Sequence, residues 1–388
     1  MPRPKDPAVR TLDAILKERT REGALYERLE ERKVRCVACG HRCVIPDGFD
    51  GICKVRFNRG GTLYVPHGYV AGLAVDPIEK KPFFHALPGA SALSFGMLGC
   101  DLHCLYCQNW LTSQTLRDSQ ALEPPRDVTT ERVIEIAREG RSPAMVSTYN
   151  EPLITSEWAV EIFTQAAAAG ILCGYVSNGN GTPEVLRYLR PHAELYKVDL
   201  KSFRDPVYRS LGGTLARVLD TIRDLVSLRF WVEVVTLVVP GLNDSPEELR
   251  DIARFLASVS PDIPWHVTAF HPDYRMTDQR ATSPADLLRA AEIGREAGLR
   301  FVYAGNLPGR TGSLENTLCP GCGQALVERR GYRILAYRID AEGRCPACAR
   351  AIPGIWPAGP ERTPAGTAAS GPLSRLVRVP PAPGTPQA

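Results

Sequence analysis

Between Ala92 and Tyr303 the sequence alternates apolar segments with amphipathic ones. The apolar segments are ALSFGM, AMVSTY, LCGYVS, LYKVDL, FWVEVVTLVV, WHVTAF and FVYA. Strands of this kind separated by helices are typical of βαβ units, in which a parallel sheet is covered on both faces. Ser245 and Ser283, each followed by proline, mark two helix starts. The alternation predicts an α/β fold, a partial (β/α)6 TIM-like barrel, with functional residues where the strands end.

Composition divides the chain into four regions. Residues 1–90 join a charged helical stretch to a Cys-rich, loop-rich part, residues 91–305 hold the alternating segments, and residues 306–357 carry two CxxC pairs. Residues 358–388 contain seven Pro and four Gly with no aromatic residue. A segment of that composition buries too little apolar surface to order itself, so we expect a disordered tail there.

Charge and hydropathy exclude several classes of protein. Lys and Arg number 47 against 43 Asp and Glu, a balance of +4 that does not indicate a nucleic-acid or membrane partner. No apolar run approaches the length of a membrane span, and the first 25 residues are charged throughout. We therefore expect a cytoplasmic protein, in which the clustered cysteines, eleven of the twelve, are metal ligands or catalytic groups rather than disulfides.

The first barrel strand is followed by three cysteines, Cys100, Cys104 and Cys107, in the spacing C-x3-C-x2-C. A zinc site normally takes four ligands, whereas three thiolates leave one iron of a [4Fe-4S] cluster open to a small molecule. The alternative is a closed cluster or zinc site that borrows a fourth cysteine from elsewhere. The spacing favours the open cluster.

The C-terminal cysteines form two CxxC pairs, Cys319 with Cys322 and Cys345 with Cys348. This spacing is typical of a zinc ribbon, although a rubredoxin-like iron site uses the same ligands. We favour zinc, because four-cysteine structural zinc is the commoner use. The metal is expected to fold a domain without a core of its own, independently of the first cluster.

A third group lies near the N-terminus and has less regular spacing: Cys36, Cys39, Cys43 and Cys53. Four thiolates within eighteen residues can close a structural metal site. The other interpretation is an auxiliary iron–sulfur cluster, but the spacing matches neither bacterial nor plant ferredoxins. We therefore favour a second structural metal.

The C-x3-C-x2-C loop, with Tyr106 before its last cysteine, resembles the signature of the radical S-adenosylmethionine (SAM) superfamily. More narrowly, the chain is similar to the radical enzyme of the AmmeMemoRadiSam system, which is related to pyruvate formate-lyase activating enzymes. The similar stretches cover roughly residues 33–356 and are CVACGHRCVIPDGFDGICKVRFNRGG, DPIEKKPFFHALPG, GCDLHCLYCQNW, TYNEP, VSNGN, KVDLKSF, HVTAFHPDYRM and CPGCG...CPAC. The resemblance implies a radical SAM barrel with a [4Fe-4S] cluster that binds SAM.

The resemblance also implies cofactor-binding residues after the later strands. In TYNEP, Asn150 and Glu151 suit the ammonium group of SAM, although a solvated loop carboxylate is the simpler interpretation of Glu151. Glu157, in the following helix, is expected to tolerate loss of its charge. In VSNGN, Ser177 and Asn178 offer groups to the ribose, or form a plain Asn-Gly turn.

Two further strand ends carry candidate residues. Asp199 and Lys201 in DLK match a cofactor-contacting pattern of the activating enzymes, with a strand-end ion pair as the alternative. His271 follows its strand and is expected to face the pocket, whereas His266 within the strand is expected to be a hydrogen-bonded core residue. Cys173 is expected to be a small buried residue.

The resemblance implies reductive cleavage of SAM to a 5′-deoxyadenosyl radical, which abstracts hydrogen from a substrate that no motif identifies. No catalytic residue is assigned. Implied partners are a reductant such as flavodoxin or ferredoxin, and Memo-like and AMMECR-like proteins. A glycyl-radical enzyme activase is the alternative within the class. A zinc-ribbon nucleic-acid-binding protein is the alternative outside it, disfavoured by the near-neutral charge.

Overall fold

A computed structural model describes residues 11–357 and the short strand Arg375–Leu376. Apart from that strand, the predicted disordered tail lies outside the described residues. Within the described part of the chain, no helix has both the length and the apolar character that a membrane span requires.

The N-terminal region consists of one helix and short antiparallel strands. The helix is α1 (Leu12–Glu18), and the strands are β1 (Thr20–Glu22), β2 (Tyr26–Arg28), β3 (Val34–Cys36), β4 (Val44–Ile45), β5 (Phe57–Arg59), β6 (Thr62–Pro66), β7 (Tyr69–Val70) and β8 (Gly72–Pro77). The first six strands form two small sheets, β1-β6-β5 and β2-β3-β4. A 3₁₀ turn, Ile78–Lys80, follows β8.

The central region alternates strands and helices as the sequence predicts. Its elements are β9 (Ser91–Gly96), α2 (Trp110–Ser113), β10 (Arg126–Asp127), α3 (Thr130–Glu139), β11 (Ala144–Ser147), α4 (Ser156–Ala168), β12 (Leu172–Ser177), α5 (Pro183–Leu189), β13 (Leu195–Asp199), α6 (Asp205–Leu211), α7 (Leu215–Ser227), β14 (Trp231–Val238), α8 (Pro246–Val259), β15 (Trp265–Ala269), α9 (Pro284–Glu296) and β16 (Val302–Gly305). The seven apolar segments all form strands, and both predicted serine caps are present, at α8 and α9.

Seven of these strands run parallel in one sheet, in the order β16-β15-β14-β13-β12-β11-β9. Antiparallel β8 extends the sheet at β9, and Arg375–Leu376, as β20 after the strands of the C-terminal region, pairs with β8. Among the described residues the two end strands of this order do not pair with each other, so the sheet is open. Because the seven strands are parallel, their carboxyl ends share one edge, where the predicted motifs come together.

The C-terminal region is a three-stranded antiparallel sheet of β17 (Thr317–Leu318), β18 (Ala325–Arg330) and β19 (Arg333–Tyr337). The sequence predicts that this domain lacks a core of its own, and its apolar side chains do pack against other parts of the protein. Leu326 and Val327 share a hydrophobic cluster with Phe84, which follows β8, and with Phe301 and Tyr303 of the central region. The small sheet therefore takes its core from the larger one.

Candidate functional site

The first cysteine cluster lies on the loop after β9, at the carboxyl edge of the parallel sheet. Cys104 is buried, and Cys100 and Cys107 are half-buried. Cys104 and Cys107, with the buried Tyr106 between them, line a cavity of about 390 Å³. The three predicted ligands thus lie on one loop, two of them directly at a cavity.

The chemistry of these thiols suits a metal cluster. Burial raises the pKa of the Cys104 thiol to about 11 and also raises the pKa of Cys100. Thiolates at such positions need a cation as partner, which bound iron supplies. The adjoining cavity leaves room for a small molecule on one side. These residues therefore fit a [4Fe-4S] cluster that keeps one iron open.

A buried polar network lies behind the cysteine loop and is centred on Glu151. Its carboxylate accepts hydrogen bonds from the Ser177 hydroxyl at 2.7 Å, the Asn178 backbone N–H at 2.7 Å and the Leu153 N–H at 3.1 Å. The Asn178 amide in turn donates to Asp101 Oδ1 at 2.7 Å. Burial, and then the charge of Asp101, raise the pKa of Glu151 to about 8. Glu151 is therefore not a solvated loop carboxylate.

These contacts occupy three of the roughly four acceptor positions of a carboxylate. Glu151 thus joins the end of β11 to the end of β12, and one acceptor position remains for a further donor. A direct contact between Glu151 and the ammonium of SAM stays a prediction. So does the ribose contact predicted for Ser177 and Asn178, whose groups bind within this network.

Asn150 ties the strand ends together in a similar way. Its Oδ1 accepts from the Met97 N–H at 3.1 Å, which connects the loop after β9 to the loop after β11. The two loops approach so closely that a Cβ at Gly96 would lie 2.1 Å from the Thr148 carbonyl oxygen. Glycine is required there by this contact. Asn150 therefore holds together the two loops that form this side of the site.

Asp199 and Lys201 line the cavity together with Lys197, which the sequence analysis did not single out. Asp199 forms ion pairs with Lys197 and, at 3.6 Å, with Lys201. Burial acts to raise the pKa of Asp199, but the two ammonium groups hold it below its usual value. The strand-end ion pair, which the sequence analysis gave as the alternative to a cofactor contact, is thus present. Asp199 remains an ionised carboxylate at the cavity.

Sequence reasoning also missed Lys81, which lines the same cavity. Lys81 donates to Asp76 at 2.6 Å and to the Tyr149 hydroxyl at 3.2 Å. Burial lowers its pKa to about 8. The stretch DPIEKKPFFH supports the family resemblance, but its lysines were given no role. The signal for Lys81 was a pair of lysines shortly after a strand. The signal for Lys197 was a lysine inside an otherwise apolar strand.

The two histidines have different environments. His266 is buried, bonds Glu233 Oε2 at 2.7 Å and stacks on Tyr303, as expected for a core residue, although it also borders the 390 Å³ cavity. His271 is exposed, and its Nδ1 lies 3.0 Å from the Gln108 amide nitrogen. It lines a second cavity next to the first. Cofactor binding by His271 stays a prediction.

That SAM binding tolerates loss of the Glu157 charge stays a prediction, but the structure gives this carboxylate a structural role that the sequence analysis did not foresee. Glu157 and Arg56 are 2% and 1% exposed and form a two-pronged ion pair at 2.7 and 2.8 Å. Glu157 also accepts the backbone N–H groups of Ala24 and Leu25, both at 3.2 Å. Its helix position alone did not reveal this, because the partners come from the distant N-terminal region.

The C-terminal cysteines converge as a metal site requires. All four sulfurs lie within 4.8 Å of one another, with Cys319 and Cys348 3.5 Å apart and Cys322 and Cys345 3.6 Å apart. Four sulfurs about 2.3 Å from a tetrahedral ion lie about 3.8 Å from each other, whereas a disulfide requires about 2.05 Å. The group therefore fits one tetrahedral metal ion, zinc or iron.

The N-terminal cysteines are arranged differently. Cys36, Cys39 and Cys53 are buried and Cys43 is half-buried. Within residues 11–357 the C-terminal cysteines are the one group with three or more candidate ligand atoms inside 4.8 Å of one another, and neither these four cysteines nor Cys100, Cys104 and Cys107 form such a group. A second structural metal or auxiliary cluster at these cysteines stays a prediction.

Comparison with known proteins adds independent findings. Residues 96–256 match the model of the Radical SAM superfamily. An uncharacterized protein of Methanocaldococcus jannaschii is 38% identical over 335 residues, covering 86% of this chain and 98% of that protein. The pyruvate formate-lyase-activating enzyme of Staphylococcus epidermidis is 26% identical over 200 residues, covering 47% of this chain and 76% of that enzyme.

Among solved structures, a domain of a pyruvate-formate lyase-activating enzyme from Bacteroides vulgatus is similar at 21% identity and a TM-score of 0.38, covering 42% of this chain and 98% of that domain. The family match includes the cysteine loop after β9 and the motifs TYNEP, VSNGN and DLK. The predicted site residues from Cys100 to Lys201 therefore lie within the matched part of the chain.

Proposed function

Since this chain belongs to the radical SAM superfamily, we propose that it is an enzyme in which Cys100, Cys104 and Cys107 hold a [4Fe-4S] cluster and SAM binds beside it. When bound, the cluster and SAM would supply, with one electron from a reductant such as flavodoxin or ferredoxin, a 5′-deoxyadenosyl radical that abstracts hydrogen from a substrate. The observation that carries this proposal is the three-cysteine loop at the cavity. No residue is assigned as catalytic.

The chain's own residues divide into two sets around that cavity. Tyr106, Asp199 and Lys201 line it and are proposed to contact the cofactor. Asp199 stays ionised beside two lysines and therefore offers a carboxylate to a cationic group. Asn150 and Glu151 hold the strand ends in position from behind. Tyr106 belongs to a hydrophobic cluster with Leu102, Val239 and Phe270, which would limit access of water to reactive species from that side.

The four C-terminal cysteines are proposed to hold zinc, whose binding energy stabilises the small sheet. We propose that the open parallel sheet is a partial barrel. We propose that the C-terminal domain is a zinc ribbon. Work within an AmmeMemoRadiSam system, beside Memo-like and AMMECR-like proteins, is proposed from the sequence motifs.

A second candidate function is activation of a glycyl-radical enzyme. The relationship to pyruvate formate-lyase-activating enzyme over 47% of this chain favours it. The two candidates share the cluster and SAM and differ in the hydrogen donor. For an activase the donor is a backbone glycine of a protein partner, whereas the first candidate leaves the donor open.

Replacement of one cluster ligand tests the proposed function. Cys104→Ala should lose the [4Fe-4S] cluster and form no 5′-deoxyadenosine, because three thiolates are the minimum for the open cluster. Iron, sulfide and 5′-deoxyadenosine are measured after anaerobic reconstitution with dithionite. The matched control is Cys173→Ala, at a buried cysteine in β12 outside all three groups. Cluster retention by Cys104→Ala, or equal losses in both variants, would contradict the assignment.

A further inference from the structure

A second, larger cavity of about 800 Å³ lies beside the first at the carboxyl edge of the sheet. The two cavities have lining residues in common: Phe84, Gln108, Gly305, Asn306 and Tyr332. Gln108 directly follows the cluster ligand Cys107. A molecule in the outer cavity therefore reaches the region where the proposed radical is formed.

The outer wall of this cavity comes from the C-terminal sheet. The β18–β19 turn, residues 330–333, contributes four successive lining residues. Glu315 holds that turn in place, because one carboxylate oxygen accepts the Gly331 N–H and the other accepts the Gly309 N–H of the segment after β16. The turn is thus fastened to the end of the last parallel strand.

A second attachment lies below the turn, at the buried Arg329. Its guanidinium donates to the Phe84 carbonyl oxygen at 2.7 Å and to the Thr317 hydroxyl at 2.8 Å. It also lies 4.4 Å from the centre of the Phe84 ring, which both cavities share. The wall is therefore built into the fold and is not a loose loop over the opening.

The charges on this wall are unbalanced. Arg330 and Arg333 both line the outer cavity, and among the described residues neither side chain has a recorded ion pair or hydrogen bond. Glu315, the acid in the same lining, has both oxygens engaged by backbone N–H groups. Further inward, Asp199 is already paired with lysines. The outer cavity therefore presents positive charge that an anionic ligand can neutralise.

The rest of the lining is largely apolar. Leu307, Pro308, Tyr332 and Leu335 surround the two arginines, and Leu335 is 49% exposed although it is a large hydrophobic residue. A volume of about 800 Å³ lies in the range of small-molecule sites, about 300–1,000 Å³. Its size and mixed lining fit a compact molecule with an apolar body and an anionic group.

We infer that this outer cavity is the substrate-binding chamber and that its ligand is a small organic anion, with an apolar body against Tyr332 and Leu335 and a carboxylate, sulfonate or phosphate group at Arg330 and Arg333. The assignment as substrate site rests on the proposed function. The C-terminal domain is then part of the substrate site as well as a metal-stabilised module.

Two probes that differ in one charge test this inference. The first is 8-anilinonaphthalene-1-sulfonate, and the second is neutral N-phenyl-1-naphthylamine, which keeps the aromatic body. Binding to the reconstituted protein is measured by equilibrium dialysis. Arg330→Gln combined with Arg333→Gln should weaken sulfonate binding about fivefold or more and change neutral-probe binding less than about twofold. Leu335→Ala should weaken both probes.

The matched control is Arg254→Gln, an exposed arginine on the outer face of α8, which should change neither affinity. Raising salt from about 0.05 to about 0.5 M should weaken only the sulfonate. Unchanged sulfonate binding in the double variant, or equal losses for both probes, would overturn the inference. If the wild type formed no 5′-deoxyadenosine, the proposed function would fail, but the dialysis would still decide whether the chamber binds anions.

Discussion

The two four-cysteine groups contain the same ligands but differ in what holds them. The C-terminal sulfurs lie within 4.8 Å of one another at the surface, where Cys322 and Cys348 are exposed. Of the N-terminal cysteines, Cys36 and Cys53 belong to the main hydrophobic core, Cys43 packs against it, and Cys39 is buried. There the buried pair of Arg56 and Glu157 joins the region to α4. One group has the geometry of a metal site, and the other has the surroundings of a protein core.

Local sequence determines the geometry of the C-terminal group. In each CxxC pair the first cysteine's carbonyl oxygen accepts the N–H four residues later, from Gly323 at 2.9 Å and from Ala349 at 2.8 Å. Each of these turns ends in a residue with positive φ, Gly323 at +75° and Ala349 at +58°. Such turns depend on a few neighbouring residues, so spacing predicts them. The N-terminal region depends in addition on the Arg56–Glu157 pair, whose members are 101 residues apart and which cysteine spacing does not encode.

The largest expected effect comes from breaking the Arg56–Glu157 ion pair. This replacement tests how much the pair, as distinct from a bound metal, stabilises the N-terminal region. Glu157→Gln leaves Arg56 as a buried charge without a carboxylate, which should lower the free energy of unfolding by about 3–5 kcal/mol. Urea denaturation measures the loss. Glu139→Gln, at a 62% exposed partner of Arg132, is the control and should cost less than about 1 kcal/mol. Equal small losses would mean that the ion pair does not hold this region.

The same variant has a defined pH dependence. Burial acts to raise the pKa of Glu157, but Arg56 holds it below its usual value. A depressed carboxyl pKa stabilises the fold above the unfolded pKa of about 4.3, and that contribution is lost as the pH falls through the folded pKa. The stability difference between wild type and Glu157→Gln should therefore be full near neutrality and shrink in acid.

The strands and the position of the ligand cysteines can be predicted from the sequence more readily than the residues that line the cavities. The apolar segments predict the parallel strands, and a cysteine loop directly after β9 must lie at the sheet's carboxyl edge. Glu151 was placed at that edge, but its partners Ser177 and Asn178 belong to the next strand. Arg330 carried no signal, because its place over the cavity depends on Glu315 joining two distant loops.

A metal-ligand replacement at the C-terminal group is expected to have a smaller, more local effect. Cys322→Ser should release about one metal per chain and increase proteolysis in residues 306–357, because a structural metal's binding energy is folding energy for its own domain. The iron and sulfide of the proposed [4Fe-4S] cluster should remain, since Cys322 lies outside the loop after β9. Elemental analysis and limited proteolysis measure both. Loss of sulfide together with the metal would show that the two sites are not independent.

The smallest expected effect comes from the same replacement in the N-terminal group. Cys43→Ser, at a half-buried cysteine that packs beside the core, should release the structural metal predicted from the sequence but cost less than about 1.5 kcal/mol, because packing and the Arg56–Glu157 pair also hold this region. The measurements are those used for Cys322→Ser, so that the two groups are compared directly. Unchanged metal content would contradict the predicted metal, and loss of additional iron and sulfide would support an auxiliary cluster.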